Sequence, residues 1–243
     1  MAYLMLRLWL RMENLIPKCR NRLAECDLRF IDRVLSSEDS ERSALQSLLS
    51  DEAERDQILD HPELFKALLE GTRVVEISTH FYFYILVRKV LKDCDVDDCD
   101  VADYVAGILA EHARSPRRNA SGFDRNAAYF YISDAFQDID RASKSERFFI
   151  RVRIANLSLI VTGLFEDHLL HRVERRAALS PQVYASVGRS QYDQVSQHQL
   201  AKVFDLQAVF GVLSRQFDEV QAGIQDLKER LLFLGDSTER YSI

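Results

Sequence analysis

Turn-forming residues are scarce, with 8 Gly and 4 Pro among 243 positions. That scarcity excludes an architecture of many short strands joined by tight turns and favours a small set of long helices. Long apolar runs are missing as well. The charge-free tract at residues 154–165, which none exceeds, is shorter than the roughly 18 residues that a membrane-spanning helix needs. The opening Met-Ala-Tyr-Leu-Met-Leu is broken by Arg7 and Arg11, too early for the apolar core of a secretory leader. A cytoplasmic protein without a membrane anchor is the expectation. No Cys-x-x-Cys occurs. Cys19, Cys26, Cys94 and Cys99 read as reduced thiols rather than as a disulfide framework or zinc site.

The chemistry-bearing motifs are absent too. The chain has no Gly-x-Ser-x-Gly, no Ser-x-x-Lys, no Gly-rich phosphate loop, no His-Glu-x-x-His and no pair of Glu-x-x-His, so acyl transfer, nucleotide binding and di-iron chemistry find no support. The formal charge of −6 argues against a general nucleic-acid binder, although basic residues gather at 114–118 and 172–176. No metal and no cofactor is expected.

What the chain has is apolar residues at helical spacing, 47% hydrophobic overall. The fold class is all-α: an irregular multi-helix bundle around a buried central helix at about 148–176. Residues 1–36 read as an N-terminal helical extension, loosely packed at its start, 37–234 as one bundle domain and 235–243 as a tail. Pro62, after Asp60, marks one helix start, and Ser180-Pro181 another. Ser143-x-x-Glu146 is a capping box opening the central helix. The acidic stretch 93–98 begins like a calcium loop. It has Asp98 where the loop needs Gly and Tyr104 where it needs Glu, so it reads as a connector, with Asp100 capping the next helix.

Two polar lines run along apolar helices. On a helix at 72–92, Arg73, Glu76, His80 and Tyr84 share a side; on the central helix, Arg153, Asn156, Asp167 and His171 do so. Buried charges must find partners, and these lines could form a structural network, or line a ligand pocket between the two helices. Near the C-terminus, Val203, Phe210, Phe217, Ile224 and Leu231 repeat every seven residues, each followed by Leu or Val three later. With largely uncharged flanks, the pattern favours a packed bundle helix, or two helices broken near Phe217, over a coiled-coil dimer.

Asn156–Phe165 (Asn-Leu-Ser-Leu-Ile-Val-Thr-Gly-Leu-Phe) and Tyr184–Tyr192 (Tyr-Ala-Ser-Val-Gly-Arg-Ser-Gln-Tyr) together resemble a group of bacterial all-helical proteins. In these an Asn-x-x-Leu-x-x-x-Gly-Leu-Phe core helix precedes a Gly-Arg-Ser-x-Tyr segment. The resemblance spans about residues 62–234 and implies a bacterial cytoplasmic origin. It carries no known activity, so no catalytic role transfers. It adds Arg189 and Tyr192 to the residues to follow. The sequence thus favours a non-catalytic protein that acts through protein–protein contacts or self-association, regulatory or scaffolding. The alternatives are a small-molecule-binding protein using Arg73, Glu76, His80, Tyr84, Asn156, Asp167, His171, Arg189 and Tyr192, or an enzyme of unrecognised type.

Overall fold

A computed structural model describes residues 19–36, 39–70, 76–114, 132, 135–167, 169–170 and 179–239. The fold is all-α, and among the described residues there is no strand. None of the helices searched is long and apolar enough to cross a membrane. The chain divides into two compact units. One holds the described residues up to Ala113 together with those from Asp226 onward, and the other spans Arg114–Gln225. This division differs from a boundary at residue 36.

The first unit contains α1 (Glu25–Leu35), α2 (Asp39–Leu48), α3 (Glu52–Leu59), α4 (Pro62–Glu70), α5 (Thr79–Asp93) and α6 (Cys99–Arg114, its last residue past the division). Residues 1–18 of the expected N-terminal extension lie outside the described residues. Residues 19–24 are turn and extended chain rather than helix, because polar partners claim them. The Arg20 amide donates to Asp103 Oδ1 at 2.9 Å, and the Ala24 amide to Asp27 Oδ2 at 2.8 Å at the start of α1.

Asp27 also corrects the expected helix over 72–92. Its fully buried carboxylate accepts from the Ser78 amide at 2.7 Å and the Ser78 hydroxyl at 2.8 Å. Ser78 in turn caps α5, its Oγ accepting from the Phe81 amide at 3.1 Å. The chain over 76–78 is therefore extended and the helix begins at Thr79. Glu76 precedes the helix, so it does not share a helical face with His80 and Tyr84; Arg73 lies outside the described residues. The acidic connector does act as a cap, but through Asp98, whose Oδ1 accepts from the amides of Asp100 and Val101 at 2.9 and 3.0 Å. Asp95 sits in the left-handed region at φ 61°, a conformation that Asp tolerates better than most residues.

The second unit holds helical residues 135–141, then α7 (Lys144–Leu164), α8 (Pro181–Ser196), α9 (Gln199–Val203), α10 (Gln207–Arg215) and the start of α11 (Phe217–Glu239), which passes into the first unit at Asp226. The capping box forms as the motif predicts: the Ser143 amide donates to Glu146 Oε2 at 2.9 Å and the Glu146 amide to Ser143 Oγ at 3.4 Å. The central helix is shorter than the expected 148–176. It ends at Leu164, and Gln225 supplies the reason. Its side-chain amide donates to the Thr162 carbonyl at 3.2 Å and to Glu166 Oε2 at 2.5 Å, occupying a terminal carbonyl that a continuing helix would have bonded. Asp167 lies beyond that end and is exposed, so it does not continue the line of Arg153 and Asn156. His171 and 172–176 lie outside the described residues.

From Phe210 to Leu227 the heptad seam is buried, and the side chains of Leu231 and Leu234 lie outside the described residues. Phe210, Leu213, Phe217, Val220 and Ile224 are fully buried, and Leu227 is 1% exposed. The break falls at Gln216, with φ −110° and ψ 35°. From Phe210 to Leu227 the chain itself covers the seam, as a packed bundle helix does. Val203, at the seam's start, is 67% exposed.

Candidate functional site

In the first unit two buried guanidiniums gather carboxylates. Arg88 of α5 forks onto Asp60, its Nε and Nη2 each 2.8 Å from a carboxylate oxygen, and Nη2 also reaches Asp97. Lys92 adds a second cation to Asp60 at 3.0 Å. Arg20 bonds Asp56 at 2.5 Å, pairs with Asp100 and lies 3.4 Å from Glu52. Burial alone would push the Asp60 carboxyl up, but the hydrogen bonds from Arg88 and Lys92 outweigh it and hold it below its ordinary value. Burial disfavours the Arg88 charge, and the bonds to Asp60 and Asp97 more than restore it. Both arginines therefore remain cations bound to carboxylates, an arrangement that fixes α3, α5 and α6 around them.

Tyr84 lies fully buried on α5, and its hydroxyl has no hydrogen-bond partner. Burial raises its pKa far above the usual phenol range, and Cys99 and Asp56 push the same way, so it stays neutral and cannot serve as a base at physiological pH. Burial also raises the thiols of Cys94 and Cys99, which keeps them protonated and poorly nucleophilic. No disulfide joins the four cysteines.

Asp103 behaves differently from Asp60. Burial pushes its carboxyl up to about 6, despite the bond from the Arg20 amide. A carboxyl whose folded pKa is raised favours the folded state fully below its unfolded value near 3.9, and that contribution is lost as pH rises through about 6. The first unit is thus expected to gain stability from this group on acidification from pH 7 to pH 5, by about 1.3 kcal/mol. Asp103→Asn, which keeps an oxygen for the Arg20 amide, should flatten that slope. Denaturant-dependent labelling of buried Cys19 at the two pH values measures it, and an unchanged slope in the variant would refute the assignment.

In the second unit the residues of the two motif stretches meet. Tyr192 donates its hydroxyl to Asn156 Oδ1 at 2.9 Å, which provides Asn156 with a partner on α8. Arg151 reaches Gln191 Oε1 at 2.7 Å. Gly163 and Gly188 are points of closest approach: a Cβ on Gly163 would lie 2.7 Å from Ile224 Cγ2, and one on Gly188 2.6 Å from the Phe217 ring. Tyr192 stacks on Phe210, with centroids 5.9 Å apart, and packs against Phe217. Arg189 pairs with Asp218 at 3.1 Å in solvent. These residues hold α7, α8, α10 and α11 together, and none of these contacts assembles a nucleophile beside a base.

Of the candidate residues, the structure thus brings together Asn156 and Tyr192, and bonds Arg189 to α11. His80 and Tyr84 lie on α5 in the first unit. Among the residues searched, no group of three or more His, Cys, Asp or Glu is placed to hold a metal ion. An open depression, which the sequence reading missed, lies on the outer side of α8 and α10. It is lined by Ser186, Arg189, Ser190, Asp193 and Ser214, with a volume of about 530 Å³, and opens broadly to solvent. Its signal in the sequence was two serines four apart, Ser186 and Ser190, which alone reads as an ordinary solvated helix face. No family model, curated protein or solved structure matches this chain, so the resemblance rests on the quoted residues alone.

Proposed function

We propose that the protein is a non-catalytic helical interaction protein, regulatory or scaffolding, working in a bacterial cytoplasm. Its contact surface is the α8–α10 face around the serine-lined depression. The observation that carries this reading is the shape of that depression. Small-molecule sites enclose most of their ligand's surface, whereas this one is broad and open. Along the same stripe of α8 as Ser186 and Ser190 stands Val183, 42% exposed. The stripe therefore combines an apolar contact, small hydroxyls that permit close approach and a charged rim of Arg189 and Asp193. That mixture suits a protein surface. Among the candidate residues, Asn156, Tyr192 and Arg189 are engaged in holding helices together.

Photo-crosslinking in cells tests the proposal. A benzophenone side chain at Ser190 is expected to give one discrete protein adduct, whose yield falls several-fold with Arg189→Glu. That substitution should cost the fold under about 1 kcal/mol, because the Arg189–Asp218 pair is solvent-exposed. Labelling no stronger at Ser190 than at exposed Glu229 would overturn the proposal.

A further inference from the structure

His198 joins two helix ends in the second unit. Its Nδ1 accepts the Leu200 amide at 3.1 Å and so caps α9. Its ring stacks on Phe148 of α7, centroids 5.0 Å apart and planes 29° from parallel. Because Nδ1 accepts a hydrogen bond, the neutral ring carries its proton on Nε2, and Nε2 is buried. The charged group facing the ring is Lys144, at the start of α7.

We infer that His198 is a pH-operated latch on the α8–α10 connection: a proton on Nδ1 converts the cap's acceptor into a donor facing the Leu200 amide, and the cap must break. The incoming charge would also sit beside Lys144 and at the N-terminal end of α7, where the helix dipole disfavours cations. Burial and Lys144 hold the imidazole pKa below its ordinary 6.5, with the Lys144 backbone acting the other way. A histidine whose folded pKa is lowered binds fewer protons folded than unfolded. Its contribution is full above the unfolded value and is lost as pH falls from there through the folded value. Breaking the cap frees the segment between α8 and α10, the two helices that line the depression, so acidification would loosen the contact face. That consequence, but not the latch, rests on the function proposed above.

His61 provides an internal comparison. It caps α4 in the same way, Nδ1 accepting the Glu63 amide at 3.3 Å, but it is exposed. Hydrogen exchange of the purified protein tests the latch without requiring a partner. Between pH 7.5 and pH 5.0, after correction for intrinsic rates, protection of the amides at 200–204 should fall by about fivefold, the equivalent of losing one N-cap. His198→Asn, a capping residue that does not titrate, should retain its protection, provided circular dichroism shows it folded. His198→Ser serves as a second non-titrating cap. Protection in the native protein that does not change with pH would overturn the inference, as would an equal loss in both variants.

Discussion

Gly188→Ala is expected to destabilise the second unit by about 2 kcal/mol, because added volume in a close-packed contact forces side chains off their rotamers. The new Cβ would stand 2.6 and 2.8 Å from two atoms of the Phe217 ring and 3.0 Å from Ser158 Cβ. Phe217 is fully buried and Ser158 lies within α7, so neither can swing into solvent. A fall of roughly 5–10 °C in the melting temperature follows for a unit of this size. Gly211→Ala is the control: its Cβ would meet only the flexible tip of Arg215, at 3.2 Å. There the intrinsic helix preference for Ala should leave stability unchanged or raise it by up to about 1 kcal/mol. Phe217→Leu should recover part of the loss caused by Gly188→Ala, because it removes the atoms that clash. Equal melting temperatures for the two glycine variants would refute this account of the helix contact.

Arg88→Met should cost the first unit about 3 kcal/mol, read by urea denaturation. The guanidinium is 6% exposed and holds both Asp60 oxygens. Deleting one partner of such a pair leaves the other without compensation in a site that excludes water, which costs more than the pair itself contributes. Lys92 remains on Asp60, and Asp97 is largely solvated, at 64% exposed, which limits the loss. Arg88→Lys keeps the charge but not the two-pronged geometry and should fall between. A loss below about 0.5 kcal/mol would show that the cluster adds little to the fold.

The helices and several of their starts could be read from local pattern because local groups determine them. Ser143 and Glu146 satisfy each other across one turn, and Pro62 and Pro181 lack the amide that a first turn leaves unbonded. Helix ends set by distant residues could not be read this way. Thr79 starts α5 because Asp27 holds Ser78, 51 positions later. Leu164 ends α7 because Gln225, 63 positions after Thr162, takes that residue's carbonyl. These two tertiary bonds remove Glu76 and Asp167 from the faces that helical periodicity assigns to them. The heptad spacing was visible, but spacing alone does not say whether the seam faces a second chain or the same one. Asn156 is legible as a polar residue on an apolar helix and Tyr192 only through the resembled Gly-Arg-Ser-x-Tyr segment, and their mutual hydrogen bond explains both. The depression on α8 and α10 was invisible because it depends on two helices lying side by side.

Native mass spectrometry of the protein purified from its own cells under gentle conditions tests the central claim most directly. A protein that works through its surface should fly as the bare chain and as a complex with a protein partner. A stoichiometric adduct of a few hundred daltons, retained through purification and released on unfolding, would contradict the account and identify a small-molecule binder instead.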